Sequence, residues 1–282
     1  MKEIIIQALY TVLGMNAASG LVYNDEKIYA VSDQSNVLYE YSITDKQTHF
    51  YPLDQSAINH SMDKKEKYDL EGVLLEDNTL FMVGSGATSN RNRGFLYDIK
   101  SQATDTINLE YLYHTIAEFS EIDTDNFNIE GVVKYEEDYI FLNRGNGKKN
   151  LNALMFVQGR NFIDDFNTFT HTIELPKLNG VPTGFSDGVV VNHTLFFLAT
   201  AEDKNSTYDD GAIKGTLIGA IDLKKMKLKF TQVLSNHQKF EGITLKSIEG
   251  KKIEFLLCED KDSTAETSST IYSMKTTLKS KP

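Results

Sequence analysis

Ala18-Ser19-Gly20-Leu21-Val22 returns in altered form four times along the chain. The later copies are Leu70-Glu71-Gly72-Val73-Leu74, Ile129-Glu130-Gly131-Val132-Val133, Phe185-Ser186-Asp187-Gly188-Val189 and Phe240-Glu241-Gly242-Ile243-Thr244. Each has a small or apolar residue, then Ser or Glu, then Gly or Asp, then an apolar run. Counted at the Ser/Glu position, successive copies lie 52, 59, 56 and 55 residues apart. A near-constant period of this size marks a radial or stacked repeat whose units cannot bury their cores alone. Each copy opens a β-like segment, so the spacing predicts an all-β, five-bladed β-propeller with the marker residues converging on its axis.

Within each repeat the same order of segments follows the marker. A polar turn comes first, as in Asn24-Asp25-Glu26 or Glu76-Asp77-Asn78. A continuous apolar run follows, as in Leu80-Phe81-Met82-Val83 or Leu195-Phe196-Phe197-Leu198, which suits a strand covered on both faces. Third strands such as Phe95-Leu96-Tyr97-Asp98-Ile99 complete the inner part of each blade, and outer strands such as His49-Phe50-Tyr51 follow in repeats one to four. The fifth repeat ends in a polar tail, Lys275 to Pro282. Glu3 to Leu9 is therefore expected to supply its outer strand, closing four-stranded antiparallel blades into a ring without an exposed edge. One domain covering residues 1–282 is expected. The connections from Phe50 to Tyr68 and from Leu109 to Phe127 are long, and the second suits a short helix.

Composition narrows the function. The net charge is −11, with no long basic stripe, so nucleic acid is not an expected partner. No apolar run reaches membrane-spanning length, and a membrane partner is not expected. The single cysteine, Cys258, lies in an apolar strand pattern and reads as a small buried hydrophobe. The segment Met1 to Met15 is apolar but interrupted by Glu3, Gln7, Tyr10 and Thr11, unlike a secretory leader. A cytoplasmic monomer is expected, with an exported form as the alternative. Asn192-His193-Thr194 and Asn205-Ser206-Thr207 fit a glycosylation pattern that occurs often by chance.

Ser19, Glu71, Glu130, Ser186 and Glu241 open the innermost strands, and a propeller brings them to one channel mouth. Three carboxylates in a narrow channel raise one another's pKa, so they retain protons or bind a cation. Three Glu and two hydroxyls make an all-oxygen donor set, which favours Ca²⁺, with Mg²⁺ or Na⁺ as alternatives, over zinc. The bland alternative is that these side chains bond only backbone amides and water.

The ordered set Ser, Glu, Glu, Ser, Glu at the blade openings resembles the calcium-activated nucleotidase (apyrase) family. So do the stretches Gly184-Phe185-Ser186 and Lys239-Phe240-Glu241-Gly242-Ile243. Asp69-Leu70-Glu71-Gly72-Val73 and Gly184-Phe185-Ser186-Asp187-Gly188 are also similar to bacterial phytase-like propellers of unassigned function. The nucleotidase resemblance implies a five-bladed ring with Ca²⁺ in the central tunnel, held at Ser19, Glu71, Glu130, Ser186 and Glu241. That family ends soon after its last Glu-Gly motif, whereas here two further strands follow Glu241. The resemblance therefore carries the ion and not the reaction.

The loops from second to third strands are long in repeats two to five, and they share one rim with the inter-blade connections. Long loops on a rigid scaffold are where binding and catalysis concentrate. The ends of the second strands add Asp33, Ser85, Arg91, Arg93, Arg144, Lys148, Lys149, Glu202, Asp203, Glu259 and Asp260. Basic groups gather in repeats two and three, and carboxylates in the others. Such a mouth suits a small anionic, phosphate-containing molecule. Ser85, Arg91, Arg93 and Glu259 are candidate substrate-binding residues. Asp33, Arg144 and Glu202 are candidate catalytic groups, with the arginine clamping oxygens and a carboxylate positioning water. For most of these residues taken singly, a solvated rim charge is the competing reading. A metal-dependent hydrolase of a phosphoric ester or anhydride and a non-catalytic binding propeller with a structural cation both stay open. A glycosidase would need a carboxylate separation that residue order does not disclose.

Overall fold

The computed structural model describes residues 4–15, 17–123, 126–145, 151–161, 165–203, 212–261 and 268–278, with backbone alone at 160 and 161. Its first sheet contains β2 (Ala18–Asn24), β3 (Lys27–Ser32), β4 (Val37–Ser42) and β5 (Gln47–Pro52). The second contains β6 (Leu70–Glu76), β7 (Thr79–Gly84), β8 (Arg93–Asp98) and β9 (Thr104–Asn108). After a helix, α1 (Glu110–Phe119), come β10 (Ile129–Tyr135), β11 (Asp138–Asn143), β12 (Ala153–Asn161) and β13 (Asp165–Thr172). The fourth sheet is β14 (Thr183–Val191), β15 (Thr194–Asp203), β16 (Ala212–Asp222) and β17 (Lys227–Ser235). The fifth is β18 (Lys239–Glu249), β19 (Lys252–Asp260), β20 (Ser268–Thr277) and β1 (Ile4–Leu13), which enters as its outer strand.

The expected closure is thus present, and longer than the sequence suggested. β1 pairs antiparallel with β20 from Ile4 opposite Thr276 to Leu13 opposite Ser268. Lys275 to Thr277, read from composition as tail, belong to β20 because β1 and β19 flank them on both sides. The tight turns use left-handed backbone. Asp25 and Glu26 both have positive φ, the conformation whose twist matches antiparallel strands. α1 fills the connection where a helix was expected, burying Leu112, Tyr113 and Ile116.

The core is distributed between blades. One cluster joins blades five and one, with Cys258, Leu256 and Ile271 against Val37 and Tyr39. Others fill the spaces between blades one and two, two and three, three and four, and four and five. Each middle strand is therefore covered on both faces, which is why its sequence is continuously apolar rather than alternating. Cys258 is fully buried, as expected of a small hydrophobe.

The innermost strands β2, β6, β10, β14 and β18 each touch the next in a closed ring. They approach so closely that a methyl group on Gly72 would lie 2.9 Å from the backbone nitrogen of Val132. Glycine after the marker therefore answers a packing demand. In every blade the pairing register slips at the marker, between Ala18 and Gly20, Leu70 and Gly72, Ile129 and Val132, Phe185 and Asp187, and Phe240 and Gly242. Such a bulge leaves a residue out of the ladder and re-aims its side chain. That is how Ser19, Glu71, Glu130, Ser186 and Glu241 are presented at the hub.

Candidate functional site

The bulged markers form the floor of the hub, and two further sets of residues join them. Asp69, Asn128 and Lys239, two positions before their markers, join Glu71, Glu130 and Glu241, Asp69 doing so on left-handed backbone just ahead of β6. The ends of the second strands add Asp33, Ser85, Arg144, Thr200 and Asp260, each one residue past the partner of the residue preceding a marker. Glu202 lies two residues beyond Thr200, on the same face.

Two clusters of charge result. In the first, the Arg144 guanidinium meets Glu202 at 2.9 Å, Glu130 at 3.3 Å and Glu241 at 3.8 Å. The Lys239 ammonium meets Asp260 at 2.7 Å, Glu241 at 3.0 Å and Glu202 at 3.3 Å. Asn128 donates a hydrogen bond to Glu130. Arg144 is only 6% exposed, so its charge depends on these partners. Burial works against the guanidinium, but Glu202, Glu130 and Glu241 outweigh it and hold the side chain firmly charged.

In the second cluster, Lys67 reaches in from the connection between blades one and two. Its ammonium lies 2.5 Å from Asp33 Oδ2 and 2.7 Å from Asp69 Oδ1. Arg91 binds Asp69 Oδ2 at 2.7 Å, and the Ser85 hydroxyl donates to the same oxygen at 2.5 Å. Two acceptors are left over. Asp33 Oδ1 is buried without a hydrogen-bond partner. The carboxylate of Glu71 makes no hydrogen bond or ion pair among the described residues. One oxygen from each of Asp33, Asp69 and Glu71 lies within 4.8 Å of the others.

The two clusters share one field. Burial, then Glu130, Asp69, Asp33 and Glu241, push the Glu71 carboxyl well above its ordinary range. Burial pushes Asp33 up to about 6, with Lys67 opposing and Asp260 and Asp69 reinforcing the rise. Glu241 is likewise raised well above its usual value, by burial first and by Asp260, Glu130 and Glu202 against the pull of Lys239. Seven carboxylates (Asp33, Asp69, Glu71, Glu130, Glu202, Glu241, Asp260) face four cations (Lys67, Arg91, Arg144, Lys239) among the described residues. The hub is short of positive charge.

The residues singled out from sequence therefore separate. Asp33, Ser85, Arg91, Arg144, Glu202 and the five markers come together. The Ser19 hydroxyl accepts from the Asp33 backbone at 2.8 Å, and Ser186 donates to the Phe240 carbonyl at 3.0 Å, so both serines have structural partners. Arg93 lies over the Tyr68 ring and donates to Asn90, outside the charge clusters. Glu259 points to the other face of β19, accepting from Tyr272 at 2.5 Å and from Gln238 at 3.3 Å. Its neighbour Asp260 faces the hub instead. Asp203 pairs with Lys214 at 3.6 Å on the exposed rim. Lys148, Lys149 and Asn205-Ser206-Thr207 lie outside the described residues.

Sequence reasoning passed over Asp69, Lys67 and Lys239. Asp69 and Lys239 stand two positions before their markers, where the five blades carry five different residues. Nothing local signals Lys67.

The model of the family of unknown function DUF6929 matches residues 14–276. The chain belongs to that family. Among solved structures, the Myxococcus xanthus glutaminyl cyclase is similar at TM-score 0.55 and 11% identity, covering 96% of this chain and 97% of its own. The Malassezia sympodialis allergen Mala s 1 gives TM-score 0.58 and 11% identity over 95% and 96% of the two chains. The PQQ-bound aldose sugar dehydrogenase of Streptomyces coelicolor gives 0.54 and 11% over 98% and 99%. No curated protein matches the chain. At these identities the likeness is one of fold, and a propeller hosts many chemistries. No helix among the described residues is long and apolar enough to cross a membrane.

Proposed function

We propose that this propeller binds a hard divalent cation, Ca²⁺ or alternatively Mg²⁺, in the corner of the hub bounded by Asp33, Asp69 and Glu71. A small anionic molecule on the loop-rich face completes its coordination. The observation that carries the reading is the cluster of Asp33, Asp69 and Glu71, one oxygen of each within 4.8 Å of the others, in which Asp33 Oδ1 is buried without a hydrogen-bond partner. An unsatisfied buried acceptor such as Asp33 Oδ1 costs about 1–3 kcal/mol, and a cation satisfies it. Oxygen donors alone favour calcium or magnesium over softer metals. The resemblance of the blade openings to calcium-activated nucleotidases supports the same ion.

This reading narrows the five-residue ring expected from sequence. Glu130 and Glu241 are held by Arg144 and Lys239, and the two serines have protein partners, so Glu71 is the marker best placed as a ligand. It also shifts the anion's counter-charge. Arg91 and Arg144 are already paired with carboxylates, so the cation attracts the anionic molecule rather than an arginine clamp. Asp33 then acts as a ligand, which excludes a simultaneous role as base.

Calorimetric titration of the chelator-stripped chain with CaCl2 and MgCl2 tests this. Saturable binding and a higher melting temperature in wild type, both lost in Asp33→Asn and Glu71→Gln, are expected. No heat and no melting shift with either salt overturns it. A panel of phosphate esters and nucleotides run alongside separates the two functional classes. Ion-dependent turnover extends the reading to a hydrolase, and binding without turnover makes the protein a ligand-binding propeller.

A further inference from the structure

The Lys67 ammonium stands where the ion would go. Its distances to Asp33 Oδ2 and Asp69 Oδ1, 2.5 and 2.7 Å, are close to the 2.3–2.6 Å at which calcium sits from carboxylate oxygens. Two cations cannot share that position. Lys67 is also delivered there by a built segment. The connection from Leu53 to Tyr68 is stapled to blade one through Asn36, whose side chain donates to Ser56 Oγ at 2.8 Å and Ala57 O at 3.1 Å and accepts from the Asn59 amide at 2.8 Å. Met62 donates its backbone N–H to Gln34 O at 2.7 Å, and Asn90 binds the carbonyls of Glu66 and Lys67. The lysine is thus a tethered monovalent cation held at the acidic corner.

We infer that Lys67 is the selectivity-determining residue of the hub, a built-in counter-ion that a divalent cation must displace and a monovalent cation cannot. The inference rests on the cation reading above. Exchanging one unit charge for another gains no Coulomb energy at Asp33 and Asp69, and a soluble ion also loses its freedom on binding. Sodium and potassium therefore leave the wild-type hub as it is. A divalent ion doubles the charge at the same place and draws in Asp33 Oδ1 and Glu71, whereas the ammonium pairs with Asp33 Oδ2 and Asp69 Oδ1. Arg91 keeps Asp69 oriented during the exchange.

The test is calorimetry and thermal melting of the full chain, wild type against Lys67→Gln, with CaCl2 and with NaCl at an ionic strength fixed by choline chloride. Removing the competing charge tightens calcium binding by about tenfold or more. It also lets NaCl raise the melting temperature of K67Q beyond the choline control, which it does not do in wild type. Calcium binding seen only in K67Q means that calcium cannot displace the lysine, and overturns the inference. Equal calcium affinity in both proteins overturns it and leaves the cation site standing. Calcium binding to neither removes the site, and the inference with it. If K67Q does not fold in chelator, its refolding with CaCl2 is the readout. Recovery of the native melt supports displacement, and failure at concentrations that saturate wild type overturns it.

Discussion

A methyl group at Gly184 would come within 2.5 Å of Arg144 Cγ and 3.1 Å of its Nε, because the arginine stem passes over that α-carbon. Gly184 stands two residues before its marker, where blades two, three and five carry Asp69, Asn128 and Lys239. Blade four thus leaves open the space that Arg144 crosses to reach Glu202. Gly184→Ala is expected to displace the guanidinium and cost about 1–3 kcal/mol, read by urea denaturation. Arg144→Met, which leaves Glu130, Glu202 and Glu241 without that charge, is expected to cost about 3–5 kcal/mol, so the glycine variant should be the milder one. A neutral result for Arg144→Met would mean Lys239 alone compensates the cluster. These two positions also show what a sequence reveals at this scale. Ser19, Glu71, Glu130, Ser186 and Glu241 are legible because they repeat. Ala17, Asp69, Asn128, Gly184 and Lys239 differ in every blade, so no period exposes them, although together they decide the hub's charge.

At the scale of elements, the four-strand rhythm is legible because every middle strand is apolar throughout and every turn is polar. Even the donation of β1 to the fifth blade follows from counting strands. The bulges are not legible, since an extra residue in an inner strand leaves the apolar pattern intact while redirecting one side chain. The Leu53–Tyr68 connection is opaque for another reason. It is largely exposed and polar, so its ordering depends on Asn36 rather than on a hydrophobic pattern. Asn36→Ala removes a side chain that both donates and accepts within this segment, and is expected to cost about 1–3 kcal/mol. Hydrogen exchange should then rise across residues 53–67 and not in β7 or β8. For closure, deletion through Leu13 strips β20 of its partner and uncovers a cluster that includes Val12 and Ile271. A lower melting temperature together with concentration-dependent association, measured by size-exclusion chromatography, is expected of an unprotected edge. A truncated chain that stays monomeric with an unchanged melt would show the ring closes without its outer strand.

For the whole molecule, five close-packed inner strands concentrate acidic groups from every blade on one axis, and the pH dependence of stability follows from that geometry. Asp33 is raised to about 6, and Glu71, Glu241 and Asp187 are raised further above their ordinary values, in each case by burial first. The folded chain therefore holds protons that the unfolded chain releases from about pH 4 upward. Where the native state binds more protons, stability falls as pH rises. In chelator, the melting temperature is expected to decline as pH rises from about 4 towards 6, between the ordinary carboxylate range and the raised Asp33 value, and to go on falling while Glu71, Glu241 and Asp187 still hold their protons. The net charge of −11 would give a decline of the same sign through general repulsion, so two variants with equal charge changes separate the causes. Glu71→Gln should flatten the profile, whereas Glu249→Gln, at an exposed position on β18, should leave its slope unchanged. Excess CaCl2 should flatten the wild-type profile as well, because a bound cation replaces the protons as the compensating charge. Equal slopes for E71Q and E249Q would place the pH dependence on the surface, and the buried acids would then be no seat of stored protons.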